Sequence, residues 1–237
     1  MPELPLIAIS QRVVEVPSYG EQRDCLDQEW SVWLESVGFH AVPVPNCIDK
    51  VLDYLQSIQP DGIILTGGNN LTLDVYNNHE ADIPAKDAYQ SRDNTERALL
   101  DYAIRKQLPL FGCCRGMQFI QCYFGGQLFR IRDSQIDHVA QNHEVSLVDE
   151  RFCKIAGEDT LSVNSFHNYG ISKNTLAPSL RPFAISTGDS LVEGFTHIQF
   201  PIVGIMWHPE RPNPATAFDR KLANALFLPP DCCLPTQ

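Results

Sequence analysis

The sequence predicts an α/β fold: a mixed, mostly parallel central sheet with helices on both faces and an added region of antiparallel strands. Three observations carry this expectation. Up to residue 123, short apolar runs alternate with helical stripes, the pattern of parallel strands joined by crossover helices. Beyond it the runs become short and closely spaced, broken by turn residues such as Gly188-Asp189, as antiparallel strands are. Between the two, the apolar run from Leu108 opens straight into Gly112-Cys113-Cys114-Arg115-Gly116, and a helix follows from Arg115. That is a sharp strand–turn–helix junction.

Taken in order, Leu4 to Ser10 is a first strand for the middle of a sheet. Gln11 to Gly20, with Pro17 and Gly20, reads as a long loop at that strand's C-terminal end. Ligands bind at this edge of open α/β sheets, so Arg12, Tyr19, Glu21 and Arg23 are candidates to line a site; the alternative is a merely solvated loop. From Asp24, read as the N-cap, Leu26, Trp30, Trp33, Leu34 and Val37 form one apolar stripe that Gly38 ends. Its two tryptophans are core packing. Ala41 to Pro45 follows as a strand and Cys47 to Ile58 as a shorter helix. Asp61 to Thr66 is a third buried strand, and it runs into Gly67-Gly68-Asn69-Asn70, a turn that leaves backbone N–H groups in the open. Leu71 to Gln90, with Tyr76, His79 and Pro84, is irregular and polar, a candidate flap. Asp93 and Glu96 stand at capping-box spacing before a helix that buries Leu99, Tyr102 and Ala103.

After the elbow helix, Gly125 to Arg132, His143 to Val148, Ser162-Val163, Pro182 to Thr187 and Leu191 to Thr196 are strand-like and expected to cover one side of the sheet. Pro201 to Met206 is again a buried strand, ending in Trp207-His208-Pro209-Glu210. Asn213-Pro214 opens a last helix with Phe218, Leu222, Ala225 and Leu226 inside, and the tail from Pro229 frays. No repeat or linker interrupts the chain, so residues 1–237 are expected to form a single domain.

Composition narrows the function. With 237 residues, 43% of them hydrophobic, the chain can bury one sizeable core. A net charge of -11 and a pI near 5.0 speak against a nucleic-acid partner. No apolar run is long enough for a membrane span, and Met1-Pro2-Glu3 lacks a signal segment, so the cytoplasm is the expected compartment and no membrane partner is expected. The eight cysteines show neither C-x-x-C nor zinc-site spacing; in a reducing compartment they are mostly small buried hydrophobes, and Cys232-Cys233 are bystanders. No metal or cofactor is expected.

The chemistry gathers at the turn. G-x-C-x-G between a strand and a helix has the form of a nucleophile elbow, with Cys114 held at its apex and the positive end of the helix dipole beneath it. The bland alternative is a buried cysteine pair beside a glycine turn. Arg115 would offer its backbone N–H as one half of an oxyanion hole and Gly68 the other. Pro209 stiffens the backbone between His208 and Glu210, so an imidazole and a carboxylate can be aimed at the same edge. His208 would take the thiol proton and Glu210 would orient the ring.

Thr66-Gly67-Gly68, Gly112-Cys113-Cys114-Arg115-Gly116-Met117-Gln118 and Gly204-Ile205-Met206-Trp207-His208-Pro209-Glu210, in that order, resemble the class I glutamine amidotransferase-like hydrolases. The resemblance implies the flavodoxin-like fold of that superfamily, a Cys114–His208–Glu210 triad, and hydrolysis of glutamine or γ-glutamyl amides, with Gln118 holding the glutamyl end. Arg92-Asp93-Asn94-Thr95-Glu96 and Val163-Asn164-Ser165-Phe166-His167-Asn168 look like the γ-glutamyl-γ-aminobutyrate hydrolase branch, in which the second segment contacts the glutamyl α-groups through its backbone. Asn164, Ser165, Phe166 and His167 thereby become substrate-binding candidates. The chain departs from that branch at Asn70, Met206 and Cys113, where relatives usually carry aspartate, glutamine and a hydrophobe. Arg12 with Pro17-Ser18-Tyr19-Gly20-Glu21-Gln22-Arg23-Asp24, and Arg211, resemble a subgroup found with surface-polysaccharide (capsule or lipopolysaccharide) genes, which includes γ-glutamyl-CDP-amidate hydrolases.

Three functions follow from this reading. The first is a free-standing hydrolase of a small γ-glutamyl conjugate, working through a thioester, with Arg12 and Arg211 meeting an anionic leaving group. The second is a glutaminase subunit that passes ammonia to a separate synthase. The third is a binding protein that kept the fold and lost the chemistry, which intact Cys114, His208 and Glu210 oppose. A homodimer is compatible with all three.

Overall fold

The computed structural model describes residues 4–46, 50–72, 74–76, 87–132, 138–211 and 217–228. Five strands, β1 (Leu6–Ile9), β4 (His40–Pro43), β5 (Gly62–Leu65), β6 (Leu110–Cys113) and β13 (Ile202–Ile205), pair in parallel in the order β4-β1-β5-β6-β13. β5 is buried at all four positions, Gly62-Ile63-Ile64-Leu65, as a central strand covered on both faces must be. Ile63 and Leu65 pack with α2 (Val51–Ile58), α3 (Gln90–Lys106) and α4 (Arg115–Tyr123). Ile64 and Phe111 pack on the other side with α1 (Gln28–Val37), α5 (Glu150–Ala156) and α6 (Ala217–Phe227). The expected two-faced architecture is therefore present. Among the described residues, no helix is long and apolar enough to cross a membrane.

From β13 the same sheet continues through β12 (Val192–His197), β11 (Leu180–Ser186), β8 (Val139–Leu147) and β9 (Thr160–Phe166), every pairing antiparallel. These strands extend the sheet at its edge; they do not lie over one side of it. Four strand spacings separate β13 from β9, about 19 Å in a flat sheet. Yet the Asn164 side chain in β9 bonds the backbone of His208, just past β13, at 2.9 Å. The antiparallel half must curl back over the C-terminal end of the parallel half. β7 (Phe129–Arg130) pairs only with β10 (Tyr169–Gly170), so the strand expected over Gly125–Arg132 shrinks to two residues.

Three local expectations are corrected. Gln11 to Gly20 is not a loop but most of a hairpin, β2 (Arg12–Val16) with β3 (Glu21–Cys25), whose strands are mostly exposed; Pro17 and Gly20, which suggested a loop, lie in its turn. α1 is capped by Asp27, whose side chain accepts from the Glu29 N–H, rather than by Asp24, which holds Asn46 instead. α3 starts at Gln90, so Asp93 and Glu96 lie within the helix, buried in ion pairs, and form no capping box. α5 was not anticipated; its seven residues give too short a stripe to stand out. Cys47, the Asn213-Pro214 helix start, the tail from Pro229 and most of the candidate flap, including His79 and Pro84, fall outside the described residues.

Candidate active site

β6 ends at Cys113 and α4 begins at Arg115, so Cys114 alone makes the corner. Its backbone sits at φ 49° and ψ −103°, a sparsely populated region, and its N–H is tied to the Ile205 carbonyl of β13 at 2.8 Å. The corner closes this tightly because Gly116 packs onto the Leu65 carbonyl, where any Cβ would overlap.

His208 follows β13 at the same edge. Its Nδ1 lies 2.7 Å from Glu210 Oε1. Asn164 clamps the backbone from the other side, donating to the His208 carbonyl and accepting from its N–H, both at 2.9 Å. Phe166 stands edge-on to the ring with centroids 5.7 Å apart. Burial alone would lower the His208 pKa, but the two neighbouring thiols, through their charge and hydrogen bonds, hold it well above the ordinary value. Of those sulfurs, Cys113 is buried beside Glu210 and pushed up to about 12. It stays a neutral thiol near pH 7.

Cys113 is not inert filling, as the sequence suggested. Its Sγ donates to the Trp207 carbonyl at 3.3 Å and lies 3.7 Å from His208 Nδ1 and 3.9 Å from Glu210 Oε2. It therefore backs the His208–Glu210 pair from inside the sheet.

Gly67 sits against the His208 ring, with no room for a Cβ, and Gly68 takes a φ of 77° that favours glycine. The loop's carbonyls all turn toward one buried guanidinium. Arg92 donates to Thr66 O at 2.8 Å, to Gly67 O at 3.0 Å and to Gly68 O. A trans peptide carries its N–H opposite its C=O. Pinning the Gly67 carbonyl on Arg92 therefore aims the Gly68 N–H away from Arg92. Arg92 pairs with Glu96 through Nε at 2.9 Å, and Glu96 and Asp93 together hold Arg115, the residue after the elbow. Burial lowers the Arg92 pKa to about 10, which still leaves it charged at neutral pH. One cluster thus ties the Gly-Gly loop to the start of α4. From the sequence, Asp93 and Glu96 read as a capping box and Arg92-Asp93-Asn94-Thr95-Glu96 as a family motif, and neither reading implies this cluster. The available signal was that Arg92 and Glu96 share the helix face of Leu99 and Ala103, a face that is otherwise core.

The other candidates are placed as follows. Gln118 Nε2 donates to the Tyr169 carbonyl at 3.3 Å and approaches Met206 Sδ at 3.7 Å. Ser165 and His167 are buried and turned toward other partners: Ser165 Oγ donates to the His138 carbonyl at 2.9 Å, and His167 Nδ1 lies 3.0 Å from the Tyr169 carbonyl. Arg211 lies over the Phe166 ring, 4.0 Å from its centroid, with Nε 4.0 Å from Glu210 Oε1. A cleft runs beside His208 and Glu210, lined by Arg12, Cys25 to Asp27, Trp30, Thr66 to Gly68 and Arg211. Arg12 and Arg211 therefore reach one cavity. Arg23 does not line it: its guanidinium is held by Glu21 at 2.6 Å and by the Tyr19 hydroxyl at 2.9 Å, on the exposed hairpin. Among the described residues Arg12 makes no ion pair.

Residues 5–210 match the family described as peptidase C26. The γ-glutamyl-CDP-amidate hydrolase of Campylobacter jejuni is 30% identical over 208 residues, covering 87% of this chain and 90% of that protein. The γ-glutamyl-γ-aminobutyrate hydrolase of Escherichia coli is 30% identical over 189 residues, 72% of this chain and 70% of that protein. A glutamine amidotransferase structure from Thermotoga maritima superposes with a TM-score of 0.56 at 16% identity, covering 88% of this chain and 77% of that one.

Proposed function

The chain belongs to the peptidase C26 family, and on that premise we propose that it is a free-standing hydrolase of a γ-glutamyl amide, with Cys114, His208 and Glu210 as its catalytic triad. The observation that carries this is the His208 ring, held by Glu210 at Nδ1 at the same sheet edge where Cys114 makes the strand–helix corner and acts on the ring's pKa. Nδ1 is committed to Glu210, so the proton exchanged with sulfur sits on Nε2. The Cys114 thiolate attacks the γ-carbonyl carbon, and the developing oxyanion is met by the N–H groups of Gly68 and Arg115. The C–N bond breaks as His208 protonates the leaving amine, giving a thioester. Water, deprotonated by His208, then hydrolyses the thioester and releases glutamate. Gln118 and the chain around Asn164 to His167 hold the glutamyl part.

The leaving amine is proposed to carry an anionic group, a phosphate or carboxylate, that Arg12 and Arg211 receive in the cleft through forked hydrogen bonds. The name of the Campylobacter jejuni relative agrees with a nucleotide-linked amide of this kind.

The test is kcat/KM of the purified chain alone on γ-glutamyl amides with and without an anionic leaving group, and on glutamine. The anionic amides are expected to be best, with Arg12→Ala and Arg211→Ala erasing their advantage and leaving the neutral amides unchanged. Preference for glutamine, with activation by an added synthase, would refute it.

A further inference from the structure

We propose that the protein carries a divalent transition-metal site, of the zinc class, at the inner end of the antiparallel strands, built from His143 of β8, Glu193 of β12 and His138. The site does not depend on the hydrolase reading. All three side chains are buried, and their donor atoms lie within 4.8 Å of one another. Among the described residues neither carboxylate oxygen of Glu193 has a hydrogen-bond partner, and neither ring nitrogen of His143 has one. A buried carboxylate left in that state is costly, and in native proteins such a group is paired or coordinates a cation.

The surrounding groups are acceptors where donors would be needed. His167, beside the site, has Nδ1 3.0 Å from the Tyr169 carbonyl, which only accepts, so Nδ1 carries the proton. Its Nε2, without a hydrogen-bond partner, faces Glu193 Oε1 at 3.7 Å. His143 Nε2 faces Glu193 Oε2 at the same 3.7 Å. Two imidazoles thus aim at one buried carboxylate.

The spacing suits an ion. With zinc–nitrogen and zinc–oxygen bonds of about 2.1 Å, a 3.7 Å gap subtends roughly 125° at the metal, close to trigonal or tetrahedral. His138 completes the set, with a donor atom within 4.8 Å of both others. Its Nε2 is already held by Asp189 Oδ2 at 2.7 Å, the carboxylate–histidine pairing that orients metal-bound imidazoles, which leaves Nδ1, now 3.3 Å from Ser165 Oγ, as the ligating atom. A mixed imidazole and carboxylate set suits zinc or a neighbouring ion. The ion would tie the start of β8 to β12, next to the strand that presents Asn164.

The experiment uses the full chain, stripped with a chelator, reconstituted with zinc chloride and passed through gel filtration. Metal is counted by plasma mass spectrometry and melting followed with and without chelator. Wild type is expected to retain about one equivalent and to melt higher with zinc than without. Glu193→Gln and His143→Asn should retain under about a tenth of an equivalent, with melting indifferent to zinc. Glu193→Gln is the safer variant, since a neutral amide of the same shape removes the buried charge. His208→Asn should keep its metal, which separates this site from the Cys113–His208–Glu210 cluster, whose donors are also close enough to trap an ion. Wild type without metal or zinc-dependent melting would overturn the proposal and leave a proton on Glu193 as the explanation. Stoichiometric metal in Glu193→Gln, or loss of metal in His208→Asn, would overturn it equally.

Discussion

Arg92→Lys should separate a folded active site from a working one. Arg92 spreads its guanidinium over the carbonyls of Thr66, Gly67 and Gly68 while its Nε holds Glu96 at 2.9 Å. A lysine keeps the charge beside Glu96 but has a single ammonium, which cannot hold three carbonyls and a carboxylate at once. Once the Gly67 carbonyl is released, its peptide can rotate and carry the Gly68 N–H out of line. Losing one oxyanion donor costs about 2.7–4 kcal/mol of transition-state stabilisation, roughly 100- to 1000-fold in kcat. KM should hardly move, because the glutamyl contacts are elsewhere. The control is alkylation of Cys114 by iodoacetamide, which displaces iodide at carbon and forms no oxyanion; its rate should stay within about threefold of wild type. Both assays are run well below the variant's melting midpoint. If kcat stays within about threefold of wild type, the pinned loop has no catalytic part. If alkylation slows as much as hydrolysis, the substitution has displaced Cys114 itself.

Other outcomes test the remaining groups. Cys114→Ala should lose at least about three orders of magnitude of turnover, while Cys113→Ala should stay within about tenfold despite its contact with His208. With its thiol pushed up to about 12, Cys113 should also remain unlabelled by N-ethylmaleimide at pH 8 in the folded protein; peptide mass spectrometry showing it modified before Cys114 would reverse the assignment. His208→Ala should be nearly dead and Glu210→Gln measurably active, because Asn164 still holds the His208 backbone and Cys113 still lies against the ring; comparable activity of His208→Ala and wild type would end the triad reading. Asn164→Ala leaves the His208 N–H and carbonyl without their partner, so it should lower stability by about 1–3 kcal/mol and reduce kcat more than it raises KM. An unchanged kcat would show that the clamp does not position the ring.

The candidate triad was legible because each member stands at a place where local chain chemistry is extreme. Glycines bracket Cys114, a proline separates His208 from Glu210, and both segments follow short apolar strands. The parallel half was legible for the same reason, since strands buried on both faces read as unbroken apolar runs. Sequence reasoning failed where the partner lies far along the chain. Nothing local to Asn164 says that its amide grips a residue 44 positions away, or that Arg92 collects carbonyls from residues 66 to 68. Cys113 was read as strand filling because the strand alternation turns it away from Cys114; that Trp207, His208 and Glu210 occupy that side is a property of the β6–β13 pairing. The hairpin of β2 and β3 is hard to read because Pro17 and Gly20 in its turn signal a loop and the partner strand Glu21–Cys25 is polar and exposed, masking the valines of β2.

The curl of the antiparallel half makes strand register a matter of chemistry. β9 is the last strand counted outward from β13, yet it is the one whose side chain steadies the histidine backbone. The sheet behaves as an arch with one foot set on β13 and the other returning to it through Asn164. On β9 the side chains alternate, so the pairing of Asn164 with Asn142 decides which of them faces His208. A slip of one residue against β8 would offer Val163 or Ser165 in its place, and the histidine would lose both bonds at once. The bulge at the start of β8, where Ala140 takes a φ of 57° between the pairs Val139–Phe166 and Gln141–Ser165, sets that register. Shortening or filling the bulge would therefore silence a site whose own residues were all intact.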